Sequence, residues 1–275
     1  MTRSELLQQI FQKKSYLCVG LDTDLSKIPA HLRTHPDAIF QFNKAIIDAT
    51  KDHCVSYKIN TAFYEALGVK GWEALEQTVR YIPDTHFKIA DAKRGDIGNT
   101  SAQYAKAFFE TLPFDAITVA PYMGADSIKP FLEYTNKWTI VLGLTSNNGA
   151  NDFELQKMGN DYLYQRVLKT VSGGGTPENL MFVVGATQAA AFAAIRRQTP
   201  EHFYLVPGVG AQGGSLKDIS ETALINDCGL LINASRAIIY ASPGEDFANA
   251  AKAVAQQYQS EMGTYLEQFC SKAKA

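Results

Sequence analysis

The sequence predicts a closed (β/α)8 TIM barrel, built as a single domain over residues 1–275. Two observations lead there. Eight short β-rich runs alternate with longer helical patterns, and no break in composition divides them. The rival fold, an open doubly wound sheet, should carry a Gly-x-Gly-x-x-Gly turn after its first strand, and none follows that strand here. A chain of 275 residues suits one large α/β domain or two small ones.

The elements follow in order. MTRSELLQQIFQKK is polar and reads as a short amphipathic helix; it lacks the uninterrupted apolar core of a secretory signal. The first strand, YLCVGLD (16–22), leads into the helical pattern DAIFQFNKAIIDATK. CVSYKIN (54–60) is the second strand, and AFYEALGVKGWEALEQTVRYI the helix after it. The third strand is HFKIADAK (86–93), followed by the helical NTSAQYAKAFFETL. AITVAPY (116–122) and WTIVLGLTS (138–146) are the fourth and fifth. The stretch from Asn147 to Asn179 is long for one connection. Its SGGGT lacks the Lys of a phosphate-cradling loop and reads as a flexible linker. LMFVVGAT (180–187) is the sixth strand; QAAAFAAIRRQ behind it is rich in Ala, the strongest helix former. FYLVPGVG (203–210) and LLINASRAIIYA (230–241) complete the set. After Pro243 a long terminal helix is expected, ending in a basic, solvated tail, KAKA.

Composition narrows the function. With 46% hydrophobic residues, 20% charged residues and a net charge of -2, there is no electrostatic case for nucleic acid or anionic membrane as a partner. No run approaches the ~18 to 20 apolar residues that span a bilayer, so a cytoplasmic protein is expected. Cys18, Cys54, Cys228 and Cys270 are scattered with no CxxC pair, which argues against a disulfide framework. The five histidines show no HxH or HExxH spacing, so no metal site is expected; His31 and His35, with Pro36 next, mark a surface turn.

In such a barrel, side chains alternate between interior and helix layer, and chemistry gathers at the C-terminal strand ends. On the first strand Leu17, Val19 and Leu21 face helices, which turns Cys18, Gly20 and Asp22 inward. On the second, Ser56, Lys58 and Asn60 point inward. Asp91 and Lys93 share one side of the third, and Asp96 lies on the loop beyond. Lys58, Asp91, Lys93 and Asp96 make an array of two cations and two anions in which each charge offsets its neighbours. A salt-bridge network at the barrel rim would use the same residues. At the seventh strand, PGVGAQGG (207–214) allows close backbone approach to a ligand, and the eighth carries Asn233, Ser235 and Arg236. Exposed N–H groups, Gln212 and Arg236 suit a phosphate dianion, at the loops where such barrels often bind one.

Together these residues carry a family resemblance. DAKRGDIGNT resembles the Asp-x-Lys-x-x-Asp signature of the orotidine 5′-phosphate decarboxylases, in their longer bacterial subgroup. VGLDTD, YKINTAFYE, TVAPYMG, LTSNNG, VVGAT, VPGVGAQGG and SRAIIYA extend the likeness over nearly the whole chain. One departure is YKIN, where that subgroup has Lys-Pro-Asn; Ile59 should alter only strand-end stiffness. The resemblance implies decarboxylation of orotidine 5′-monophosphate to UMP without metal or cofactor. It implies a ribose ligand at Asp22, a charge array of Lys58, Asp91 and Lys93, and a pyrimidine-reading Ser146. It also implies a base-pocket wall at Pro207 and a phosphate clamp of Gln212 and Arg236. In the family, the carboxylate matching Asp96 reaches across from a partner subunit. Ile97 and Thr100 should then lie against the neighbour's site, and a homodimer with shared active sites is expected. Two other functions remain open: a magnesium-dependent sugar-phosphate decarboxylase or lyase of the same superfamily, and a non-catalytic phosphate-binding barrel. Relatives of the first kind tend to place a carboxylate where Lys58 stands.

Overall fold

Each of the eight β-rich runs contains a strand. In a computed structural model describing residues 1–210 and 213–270, those strands close into a parallel ring. In chain order the strands are β1 (Leu17–Gly20), β2 (Ser56–Asn60), β3 (Phe87–Arg94), β4 (Ala116–Val119), β5 (Trp138–Leu144), β6 (Lys157–Met158), β7 (Asp161–Tyr162), β8 (Leu180–Val184), β9 (Phe203–Pro207) and β10 (Leu230–Ala234). The ring runs β1-β10-β9-β8-β5-β4-β3-β2, while β6 and β7 form a separate antiparallel hairpin. Leu17 opposite Ile232 and Cys18 opposite Ser56 join β1 to both neighbours, and this closure removes the sheet's edges. Strands covered on both faces read as near-continuous apolar runs, as AITV and LMFVV do, and both are wholly buried.

The barrel's N-terminal end is plugged by rings. Trp138 stands edge-on to Phe87 at 5.8 Å and to Phe203 at 6.3 Å between centroids. Helix α1 (Arg3–Lys13) adjoins this end, where the Trp138 indole donates to the Met1 carbonyl at 2.9 Å and the Arg3 guanidinium lies 4.9 Å from the Phe203 ring. The N-terminus of α1 is fixed by a capping box between Thr2 and Glu5. The charged side chains Asp22, Lys58 and Asp91 stand at the opposite end.

The first outer helices are α2 (Ala38–Thr50), α3 (Ala62–Glu65) and α4 (Val69–Tyr81). The predicted single helix over 62–82 is broken in two at Gly68, whose φ of +63° no other residue adopts as freely. Buried Asn43 ties these elements together, donating to the Tyr64 and Thr78 hydroxyls and accepting from Thr23. Next come α5 (Gly98–Lys106), which widens into a π-helical turn over Ala107–Thr111, and α6 (Ala125–Leu132). They are followed by α7 (Leu163–Ser172), α8 (Ala189–Gln198), α9 (Leu216–Ala223), α10 (Arg236–Ile239) and α11 (Phe247–Phe269).

Two expectations need correction. SGGGT is not a flexible linker: it is the turn between α7 and β8, with Gly175 packed against Leu180 and Leu132. LYQRVLKTVS forms α7 because Tyr164, Leu168 and Val171 make one buried face. The eighth strand stops at Ala234, and IIYA is not strand. Arg236 therefore opens α10, two residues beyond the end of β10. The KAKA tail lies outside the described residues. Among those described, no helix is long and apolar enough to cross a membrane, and all four cysteines are buried and free.

Candidate active site

Strand parity brings four charged groups to the C-terminal mouth of the barrel. Lys58 leaves the inward face of β2 with its side chain 4% exposed. Its ammonium lies 2.9 Å from Asp91 Oδ2 and 3.2 Å from Asp22 Oδ1. Asp91 Oδ1 in turn lies 2.6 Å from the Lys93 ammonium, which is half exposed to the cavity mouth. Burial alone would lower the Lys58 pKa, yet Asp91 and Asp22 outweigh it and raise the value. Burial pulls the Asp91 carboxyl upward, but Lys58 and Lys93 overcome that and hold it far below the usual carboxylate range. Cys18, buried behind Lys58, is pushed up to about 11 by burial and stays a thiol. Asp91 is thus held as an anion and Lys58 as a cation.

Asp22 lies just past β1 and is anchored through its backbone. The Tyr64 hydroxyl donates to the Leu21 carbonyl at 3.0 Å, and the Tyr240 hydroxyl to the Asp22 carbonyl at 3.2 Å. Lys93 sits in a bulge. The β3–β4 register jumps between Ala90 and Arg94, and Lys93 adopts a φ of +48°. A bulge of this kind re-aims a side chain, and a left-handed lysine persists only where its surroundings enforce it. Here Arg94 Nη1 donates back to the Ala92 carbonyl at 2.9 Å, while the guanidinium pairs with Glu65 on α3.

The array forms one wall of a cavity of about 310 Å³. Leu142, Val183, Leu205 and Val209 supply an apolar side. Ser146, Pro207, Gly208, Ser235 and Arg236 line the remainder, with Asn60 and Asn233 among the inward-facing strand residues. The loop carrying Ser146 is held on both flanks of Thr145. Glu154 accepts from the Thr145 N–H at 2.7 Å and from its hydroxyl at 2.9 Å, and Gln188 donates to the Thr145 carbonyl at 3.1 Å.

Of the expected site residues, Asp22, Lys58, Asp91, Lys93, Ser146, Pro207 and Arg236 line this single cavity. Asp96, Ile97 and Thr100 do not. The fourth charge expected in the array was Asp96; within the chain Asp22 occupies that role instead. Asp96 is turned away because its loop is stitched outward: the Ser101 hydroxyl bonds the Asp96 backbone, and Asp96 Oδ1 accepts from the Ile97 N–H. Ile97 is 60% exposed and Thr100 is exposed. Gln212 lies outside the described residues. The expectations assigned nothing to Thr118 or Glu154. Inward parity on the fourth strand would have pointed to Thr118; no local pattern marks Glu154.

Comparisons with known proteins point to one family and one fold. The family model described as "Orotidine 5′-phosphate decarboxylase / HUMPS family" matches residues 15–254. An orotidine 5′-phosphate decarboxylase of Christiangramia forsetii is 58% identical over 97% of this chain and 99% of its own. One from Flavobacterium johnsoniae is 57% identical, with the same two coverages. The solved OMP decarboxylase of Leishmania donovani superposes with a TM-score of 0.80 at 36% identity, covering 96% of this chain and 99% of that one.

Proposed function

Because the chain belongs to the orotidine 5′-phosphate decarboxylase / HUMPS family, we propose that it converts orotidine 5′-monophosphate to UMP and carbon dioxide in pyrimidine biosynthesis, with Lys93 as its catalytic acid. The observation that carries the reading is the Lys93 ammonium, held 2.6 Å from the Asp91 carboxylate at the wall of a cavity of about 310 Å³.

Loss of carbon dioxide leaves an electron pair on a ring carbon with no conjugated sink. A fixed positive charge aimed at that carbon lowers the barrier, and the same group can deliver the proton that completes UMP. Lys93 supplies both, while Asp91, itself held by Lys58, keeps it aimed. Asp91 stands beside the departing carboxylate in this reading, a repulsive contact relieved as carbon dioxide leaves. Asp22 binds the ribose hydroxyls, Ser146 reads the pyrimidine edge, and Pro207 walls the base. Gln212 and Arg236 take the phosphate, whose binding energy organises a site it does not touch.

The magnesium-dependent reading fits this donor set poorly. Asp22 and Asp91 already share the buried Lys58 ammonium, which a divalent cation would have to displace. Among the described residues, no three His, Cys, Asp or Glu side chains converge as metal ligands. The direct test is the absorbance of orotidine 5′-monophosphate with purified protein in EDTA. A steady fall supports the reading; activity restored only by added magnesium would replace it.

Arg236→Ala should raise the KM for orotidine 5′-monophosphate by about 10- to 150-fold, the equivalent of a lost charge-assisted contact of ~1.5–3 kcal/mol. Added guanidinium should recover part of the loss. Unchanged affinity would remove Arg236 from the phosphate site.

The working unit in this reading is a homodimer in which Asp96, Ile97 and Thr100 reach the partner's cavity. Their outward placement supports it, as do the exposed Leu67, Val69, Tyr122 and Met123 near the same strand ends. We read residues 1–275 as one domain acting in the cytoplasm on a small molecule, without cofactor, metal, nucleic acid or membrane. Four buried, unpaired cysteines fit a reducing compartment.

A further inference from the structure

Thr118 is buried where β3 departs from regular pairing with β4. Ala90 pairs with Ile117 and Arg94 with Val119, so β3 takes four steps (90 to 94) where β4 takes two (117 to 119). Asp91, Ala92 and Lys93 therefore stand opposite Thr118 alone. A bulge leaves backbone groups without ladder partners, and the Lys93 N–H is one of them. It donates instead to Thr118 Oγ1, at 2.9 Å.

That bond fixes the direction of the hydroxyl proton. An oxygen accepting from the Lys93 N–H turns its own hydrogen elsewhere, and Thr118 donates to Asp91 Oδ1 at 3.0 Å. The Lys93 ammonium returns to the same carboxylate oxygen at 2.6 Å. Three hydrogen bonds thus form a closed circuit that begins on the Lys93 backbone and ends on its side chain.

We propose that Thr118 is a positioning residue for the decarboxylation, holding Lys93 in its left-handed conformation and orienting the carboxylate that aims its ammonium. The inference rests on Lys93 being the catalytic acid. Without the hydroxyl, the Lys93 N–H has no partner on β4 and Asp91 loses one of its donors. The bulge is then free to relax, and the ammonium swings from the ring carbon it must face. Arg94 holds the other flank through the Ala92 carbonyl but makes no contact with Asp91 or the ammonium among the bonds of the described residues. It does not replace Thr118.

The test compares Thr118→Val, which keeps the shape and removes the hydroxyl, with Thr118→Ser, which keeps the hydroxyl. Thr118→Val should lower kcat about 10²-fold, as expected for a misplacement near 1 Å. KM and UMP affinity should stay within about threefold. Thr118→Ser should recover kcat to within about threefold of the unmodified enzyme. Should Thr118→Val fail to fold, Thr118→Cys, whose thiol is a weak acceptor, carries the same expectation of a kcat loss at constant KM. Wild-type kcat in Thr118→Val beside an inert Lys93→Ala overturns the role of Thr118 and leaves Lys93 standing. An active Lys93→Ala overturns the reading beneath it. Parallel loss of kcat and UMP affinity, unrescued by Ser, shows a merely structural threonine and also overturns the proposal.

Discussion

Lys93→Ala is expected to abolish turnover, by ~10⁴-fold or more, in a protein that still folds and still binds UMP. The size follows from two losses at once. Proton delivery by a positioned acid typically contributes about 10²–10⁴-fold, and a preorganised charge facing the developing anion a further 10²–10³-fold. The fold should survive because the side chain is 50% exposed and its one ion pair among the described residues is with Asp91, which keeps Lys58 and Thr118. The measurement is single-turnover decarboxylation beside a circular dichroism melt and a UMP titration. Near-normal turnover would end the assignment. The same variant tests the shared site: mixed with inactive Asp96→Ala subunits, it should regain part of the activity. Hybrids that form yet remain dead would exclude Asp96 as a partner-supplied group.

Lys58→Met should cost ~3–5 kcal/mol of stability at neutral pH, the usual result of removing one partner from a buried charge cluster. Side chains of Lys58 and Asp91 are only 4% and 11% exposed, so solvent screening offers little relief. In the unmodified protein the Asp91 carboxyl lies below its unfolded value near 3.9. Its contribution is therefore present above about pH 4 and fades as pH falls through the folded value. Removing Lys58 takes away the largest force holding that carboxyl down and leaves Asp22 and Asp91 facing one another. The loss relative to the unmodified protein should then shrink on acidification, as the buried Asp91 takes up a proton. Urea unfolding at pH 7.5 and pH 3.5 measures this; an equal deficit at both would show that Lys58 matters for packing alone.

Much of this site was legible because side chains on a strand alternate with a period of two. That rule turned Asp22, Lys58 and Asp91 inward from the sequence alone, and the cavity holds all three. It failed where the backbone departs from a regular strand. Two-residue spacing placed Lys93 on the same side as Asp91; the ammonium does reach Asp91, but through a bulge and a φ of +48° that no spacing rule contains. Reading 230–241 as one strand put Arg236 inside the barrel wall, whereas the chain turns into α10 at that residue. The apolar IIYA is common to strand and buried helix, so local pattern could not separate them.

By itself the sequence determined the order of eight βα units, the inward parity of their strand ends, and a set of motifs dense enough to mark the family. Those are properties of neighbouring residues, written every two or four positions along the chain. Only the tertiary structure decided that Asp22 rather than Asp96 completes the charge array within the chain, that Thr118 closes a circuit on Lys93, and that Glu154 anchors the Ser146 loop. Each joins segments brought together by strand register or loop packing, and register is set by pairing around a closed ring, which no stretch of one strand can encode.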